Sequence, residues 1–315
     1  MIMEKIPVLV VCGPTASGKT AVGVELAIRL GGEVISADSM QIYKGLSVST
    51  AKPTAEEMKG IPHYMMDFLE PDEPFSVADY VRMAKEHIGE IHSRGKLPVI
   101  VGGTGLYISS LIDNISFDHI ESDSSLRAEL EKEAEEMGKE HMHNRLRALD
   151  PDAADSIHPN NLIRVIRALE MCLLSGRTGA ENRKESRKTE SPYEPCMIGL
   201  TCFDRQVLYD RIDRRVDKML EEGLEQEVRA VYDRYKLRTA FNAIGFKEMI
   251  PYFEGECSLN EAADKIRQES RRYAKRQLTW FRRDVRINWI DTAKCEQFDG
   301  IISNCLNIVA KSKIM

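Results

Sequence analysis

The sequence lacks most of the marks of membrane, secreted and metal-stapled proteins. No apolar run approaches the roughly 18 residues that a membrane span needs. Met1 to Pro7 has no signal-peptide architecture, so a cytoplasmic protein with no membrane attachment is expected. Seven cysteines are present, an odd number, and no two of them form a C-x-x-C pair. Cys196 and Cys202 have no second Cys pair or His-x-His to complete a metal site, which points to reduced thiols rather than zinc or a disulfide frame. No internal repeat is visible. The net charge of −6 excludes a generic nucleic-acid coat.

That charge is unevenly spread. Between Asp264 and Arg286 nine Lys/Arg stand against three acids, a local +6 that leaves −12 for the rest of the chain. A basic stripe on an acidic protein is either a site for an anionic ligand or a solvated helix face. At 315 residues, 43% hydrophobic and 30% charged, the chain can form two globular domains or one domain with an insertion.

Pro7 to Cys12 is a continuous apolar run that reads as a buried parallel strand. Gly13-Pro14-Thr15-Ala16-Ser17-Gly18-Lys19-Thr20 follows, a complete G-x-x-x-x-G-K-T. Val22, Leu26 and Leu30 then recur at helical spacing up to Gly31-Gly32. A P-loop between strand and helix offers backbone N–H groups and a helix dipole to phosphate oxygens. Lys19 adds a positive charge, and Thr20 can reach a Mg²⁺ ion held by the same phosphates.

Glu33 to Ala37 is a second strand, with Asp38 at its carboxyl end. Ser76 caps a helix predicted to run to about Arg94, and Leu97 to Val101 forms a third strand ending in Gly102-Gly103-Thr104-Gly105. Ligands of open parallel sheets bind at such strand ends. Asp38 is therefore the candidate catalytic base, or else an Asx-turn residue. Thr104 is a candidate hydroxyl, or else a turn residue among glycines.

Residues 123–188 are highly charged and read as helices, clearest over Leu126–Met137 and Leu162–Leu174. Residues 180–192 read as a polar loop. Strand character returns at Cys196–Thr201 and again at Arg286–Ile290, and Ile212 to Val231 reads as one long amphipathic helix. The expected fold is α/β: a P-loop core whose parallel sheet is flanked by helices, with an inserted all-helical subdomain. The expected boundaries are 1–112 for the first part of the core, 113–195 for the insertion and 196–315 for the second part of the core.

Two signatures of nucleotide hydrolysis are missing. The third strand ends in glycine where a Walker-B acid belongs, and there is no N-K-x-D. The phosphates are gripped with no visible apparatus for cleaving them with water, which favours a transferase.

In this order, several motifs resemble the tRNA dimethylallyltransferases, also called tRNA isopentenyltransferases, along nearly the whole chain. Beside the P-loop they are Asp38-Ser39-Met40-Gln41-Ile42-Tyr43-Lys44-Gly45, Thr50-Ala51-Lys52-Pro53, Pro62-His63-Tyr64 and Gly102-Gly103-Thr104-Gly105-Leu106-Tyr107. Further on come Arg164-Val165-Ile166-Arg167-Ala168-Leu169-Glu170, Ala243-Ile244-Gly245-Phe246-Lys247-Glu248 and Arg272 to Phe281.

The resemblance implies transfer of a dimethylallyl group from dimethylallyl diphosphate to N6 of adenosine 37, beside the tRNA anticodon, with Mg²⁺ as cofactor. It implies Asp38 as base, aided by Thr104 and Lys19. The diphosphate would be held by Gly13, Pro14, Thr15, Ala16, Ser17, Gly18, Lys19, Thr20 and Arg215. It implies tRNA contacts at Asp38, Ser39, Met40, Gln41, Thr104, Arg127, Ile163, Arg164, Val165, Ile166, Arg167, Gly245 and Lys247. At Asn242 the sequence departs from members that carry Arg. The insertion would clamp the anticodon stem-loop, and a monomer is expected. The competing readings are an adenylate isopentenyltransferase acting on free AMP, ADP or ATP, a P-loop small-molecule kinase, and a non-catalytic RNA-binding P-loop protein.

Overall fold

The computed structural model describes residues 5–117, 123–235, 243–295 and 297–314. Asn242 lies outside them. In chain order the elements are β1 (Ile6–Cys12), α1 (Lys19–Leu30), β2 (Gly32–Ala37), α2 (Ala55–Met58), β3 (His63–Tyr64), α3 (Val77–Ser93), β4 (Leu97–Gly102), α4 (Gly105–Ile112), α5 (Ser124–Leu149), α6 (Pro151–Ser156), α7 (Leu162–Ser175), α8 (Gly179–Glu185), β5 (Tyr193–Thr201), α9 (Arg205–Glu221), α10 (Leu224–Arg234), α11 (Ile250–Phe253), α12 (Leu259–Phe281), β6 (Ile287–Asp291) and α13 (Phe298–Ala310).

The chain divides into two compact units, one of residues 1–112 and 192–315, the other of residues 113–191. The first unit is an α/β core around a six-stranded sheet in the order β3-β2-β4-β1-β5-β6. Its strand pairings are all parallel. Leu9, Val11, Val99, Val101, Ile198 and Leu200 pack with Val22 and Leu26 of α1 and Ile302 and Val309 of α13. Alternation along a strand turns the fully buried Val8, Val10 and Ile100 to the opposite face. Burial on both faces explains why these strands read as continuous apolar runs. A second cluster joins Ile42, Tyr43 and Leu46 to Val216, Leu224, Val228 and Ile266 of α9, α10 and α12.

The second unit is all-helical. Leu130, Met142, Leu146, Val165, Ile166 and Leu169 form its core, and α5 is kinked at Gly138.

Three expectations need correction. The long helix of 212–231 is two helices, because Gly223 takes φ 95°, a left-handed conformation that breaks α9 from α10. Residues 180–192 are not all loop. Thr178 forms a capping box with Glu181 and starts α8, so the polar composition there marks a solvated helix. The strand expected at Cys196 starts at Tyr193, where it pairs with Ile6, so the all-helical unit is shorter than 113–195.

Gly13 has φ 145°, and a Cβ there would stand 2.2 Å from the Leu200 carbonyl oxygen. Gly13→Ala should therefore cost at least ~2 kcal/mol of stability, read as a lower urea midpoint. An unchanged midpoint would show that the P-loop entry is not fixed by β5.

Candidate active site

The parallel register brings the ends of β1, β2 and β4 to one edge of the sheet. Cys12 pairs with Gly102, and Gly102 pairs with Ala37. The three loops that follow therefore start side by side: the P-loop, Asp38 to Gln41, and Gly103 to Gly105. They line a cavity of about 370 Å³ together with residues of α9 and α12.

Its phosphate side is cationic. Gly18 caps α1 in a left-handed conformation, and the Lys19 Nζ donates to the Pro14 carbonyl at 2.6 Å. Arg215 of α9 donates to the Thr15 hydroxyl at 2.9 Å. Burial pushes the Lys19 amine down to about 8, and the neighbouring Arg215 adds to that, while Asp38 opposes it. Burial lowers Arg215 as well, again opposed by Asp38. Two basic groups thus share a desolvated corner that suits an anion. Thr15, Lys19, Thr20 and Arg215 all line the cavity.

Its other side carries the carboxylate. Asp38 Oδ1 accepts from the Met40 N–H at 2.9 Å and the Gln41 N–H at 3.4 Å. That is an Asx turn, yet it occupies one oxygen only. Oδ2 takes no hydrogen bond among the described residues, so turn and base readings are compatible. The Thr104 hydroxyl accepts from the Ser39 N–H at 3.0 Å, and the Thr104 N–H donates to the Ala37 carbonyl at 3.0 Å. Thr104 therefore ties the Asp38 loop to the β4 end. Gln41 accepts from Ser36 and donates to the carbonyls of Thr50 and Ala51. Among the residues expected at this edge, Asp38, Ser39, Met40, Gln41 and Lys247 line the cavity. Gly245 donates its N–H to the buried Glu248, whose carboxyl is pushed up by desolvation.

Three contributors stand outside the expected site residues, although Tyr273 and Gln277 belong to the motif Arg272 to Phe281. Gln277 and Tyr273, on one face of α12, both line the cavity, and Gln277 accepts the Thr15 N–H of the P-loop. Glu227 of α10 accepts the N–H groups of Ser47, Val48 and Ser49 at 2.7–2.8 Å and so fixes the loop beneath Gln41. A glutamine or glutamate on an amphipathic helix gives no sequence signal of the loop it will meet.

In the helical unit the expected contact run separates. Val165 and Ile166 pack their side chains in the core of this unit, which leaves them only backbone groups for the expected contact. Ile163 is 84% exposed and Arg164 is exposed. The half-exposed Arg127 and Arg167 both reach the buried Glu170, at 2.6 and 2.7 Å. Within the basic stripe Arg267, Arg271, Arg272 and Arg286 are paired with acids. Lys275, Arg276, Arg282 and Arg283 have no ion pair among the described residues. No helix among the described residues is long and apolar enough to cross a membrane.

Lys19 generates a pH prediction. With its free amine at about 8, it loses its charge as pH rises above that value. A bound diphosphate restores the proton by Coulomb attraction. At pH 9 diphosphate binding should be weaker than at pH 7 and should take up a proton. Calorimetry in two buffers of different ionisation enthalpy reads that uptake, and Lys19→Met should remove it. Equal heats in both buffers for the unmodified protein would contradict this.

Comparisons with known proteins identify the family. The family model described as IPP transferase matches residues 41–284. The tRNA dimethylallyltransferase of Halalkalibacterium halodurans is 49% identical over 98% of this chain and 97% of its own length. That of Bacillus subtilis is 48% identical over 91% of each chain. The crystal structure of the tRNA isopentenylpyrophosphate transferase of Bacillus halodurans superposes with a TM-score of 0.72 at 48% identity, over 97% of this chain and 96% of that one. A eukaryotic dimethylallyltransferase acting on tRNA superposes with a TM-score of 0.76 at 31% identity, over 87% of this chain and 69% of that one. The family model over residues 41–284 and these likenesses over nearly the full length place the chain in the IPP transferase family, among the tRNA dimethylallyltransferases.

Proposed function

We propose that the chain transfers a dimethylallyl group from dimethylallyl diphosphate to N6 of adenosine 37 in the tRNA anticodon loop. The observation that carries this is a single cavity with Lys19, Thr20 and Arg215 on one side and Asp38 and the Thr104-tied loop on the other. The adenine amine is a poor nucleophile because its lone pair is delocalised into the ring. As its nitrogen bonds the allylic carbon, Asp38 accepts the N6 proton. The allylic C–O bond breaks and its electron pair leaves with the diphosphate. P-loop N–H groups, Lys19 and Arg215 meet that charge where it develops.

Among the described residues no group of three His, Cys, Asp or Glu can hold a metal. The chain's own donor is the Thr20 hydroxyl on the cavity wall. That set fits Mg²⁺, which binds through substrate phosphates and retained waters with few protein ligands. When bound, Mg²⁺ supplies further neutralisation of the leaving diphosphate.

The target base must leave its stack to reach such a cavity, as single-stranded RNA loops allow. Ile163, Arg164, Arg127 and Arg167 on the helical unit, and Lys275, Arg276, Arg282 and Arg283 on α12 and the turn after it, suit contacts to the anticodon stem-loop. The enzyme acts as a cytoplasmic monomer. The free cysteines suit a reducing compartment.

The test is incubation with unmodified tRNA, AMP and labelled dimethylallyl diphosphate, followed by nucleoside analysis. Label should enter one adenosine of tRNA. Label on AMP alone would make the enzyme an adenylate isopentenyltransferase, and phosphate transfer from ATP to an acceptor would make it a kinase. Asp38→Ala should lower transfer by about 10²–10⁴-fold while diphosphate still binds. Turnover within a few-fold of the unmodified enzyme would remove Asp38 as the base.

A further inference from the structure

One buried carboxamide joins the two halves of the cavity. Gln277 of α12 is 6% exposed. Its Oε1 accepts from the Thr15 N–H of the P-loop at 2.8 Å. Its Nε2 donates to the Gly103 carbonyl at 3.0 Å, one residue before Thr104. On the preceding turn of the same helix Tyr273 lines the same cavity, and desolvation pushes its phenol up to about 12, so it stays protonated. The fit is close: a Cβ on Gly103 would come within 2.2 Å of the Gln277 Nε2. The glycine thus makes room for the amide rather than for a turn.

We propose that Gln277 is a positioning residue that sets the spacing between the donor loop and the acceptor loop. It touches neither reacting atom. It fixes the distance between Thr15, on the loop for the leaving diphosphate, and Gly103, beside the threonine that holds the Asp38 loop. The three loops leave neighbouring strands, but the parallel ladder ends at Cys12, Gly102 and Ala37. Beyond that edge something else must hold the P-loop against the Gly103 loop, and the Gln277 amide does so with one donor and one acceptor. An in-line displacement is sensitive to such spacing, where a misplacement of ~1 Å can cost about 10²-fold in rate. Leaving the Thr15 N–H and Gly103 C=O unpaired in a buried site has its own cost and favours relaxation of both loops.

This inference rests on the proposal that one cavity holds both substrates. Its test is a cycle of Gln277→Ala, Gly103→Ala and the double variant, with kcat and KM measured for both substrates and melting temperature alongside. Each single substitution should lower kcat about 10–100-fold. KM for tRNA and for dimethylallyl diphosphate should stay within about threefold, and melting within a few degrees. Because the new methyl of Gly103→Ala presses on the Gln277 amide, the double variant should be no slower than the slower single one. Gln277→Asn keeps the amide but shortens its reach; it should behave like Gln277→Ala and replaces it if that variant does not fold. Folded Gln277 variants with kcat within twofold of the unmodified enzyme would overturn the role. So would losses that multiply in the double variant, or a loss confined to melting temperature. An unmodified enzyme inactive on tRNA removes the proposed function as well, whereas an active one with indifferent Gln277 variants removes this inference alone.

Discussion

The site depends on the register of a parallel sheet. Ala37 and Gly102 are paired residues on β2 and β4, and the approach is so close that a Cβ on Gly102 would lie 2.2 Å from the Ala37 carbonyl oxygen. That same carbonyl accepts the N–H of Thr104. Asp38 and Thr104 are therefore brought together by the sheet itself. The pairing of Cys12 with Gly102 adds the P-loop to the same edge. Parallel strands carry their loops at one end, so the candidate catalytic groups come from three distant stretches of sequence without any of those loops needing to be long.

Electrostatics divide what geometry brings together. Lys19 and Arg215 share a desolvated corner; burial lowers both, Arg215 lowers Lys19 further, and Asp38 opposes the shift on each. Such a corner is poorly satisfied until a dianion or trianion occupies it. On the proposed function, that corner would strengthen binding of a diphosphate and of the still greater charge on a departing one.

Much of this was legible in the sequence, for identifiable reasons. The strands around Val8–Val11 and Val99–Val101 are apolar on both faces because helices cover both faces. The P-loop carries its chemistry in its own residues. Asp38 and Thr104 could be placed because the ends of buried strands are visible as the point where apolar runs stop. What escaped were the contacts made across the fold. Gln277, Tyr273 and Glu227 sit on amphipathic helices whose pattern gives a buried face but not its neighbour. The break at Gly223 escaped because apolar spacing continues across it from Leu220 to Leu224. Val165 and Ile166 show the converse: within a motif that matches as a block, helical periodicity turns the side chains of two of five residues inward.

The central claim is that one cavity holds the two substrates face to face, with Asp38 on the nucleophile and the P-loop on the leaving group. A crystal structure with an anticodon stem-loop and an unreactive thiolo analogue of dimethylallyl diphosphate tests it directly. The account predicts the extruded adenine N6 within hydrogen-bond reach of the Asp38 carboxylate and the diphosphate on the N–H groups of Gly13 to Thr20. An adenine bound away from Asp38, or a diphosphate held outside the P-loop, would contradict it.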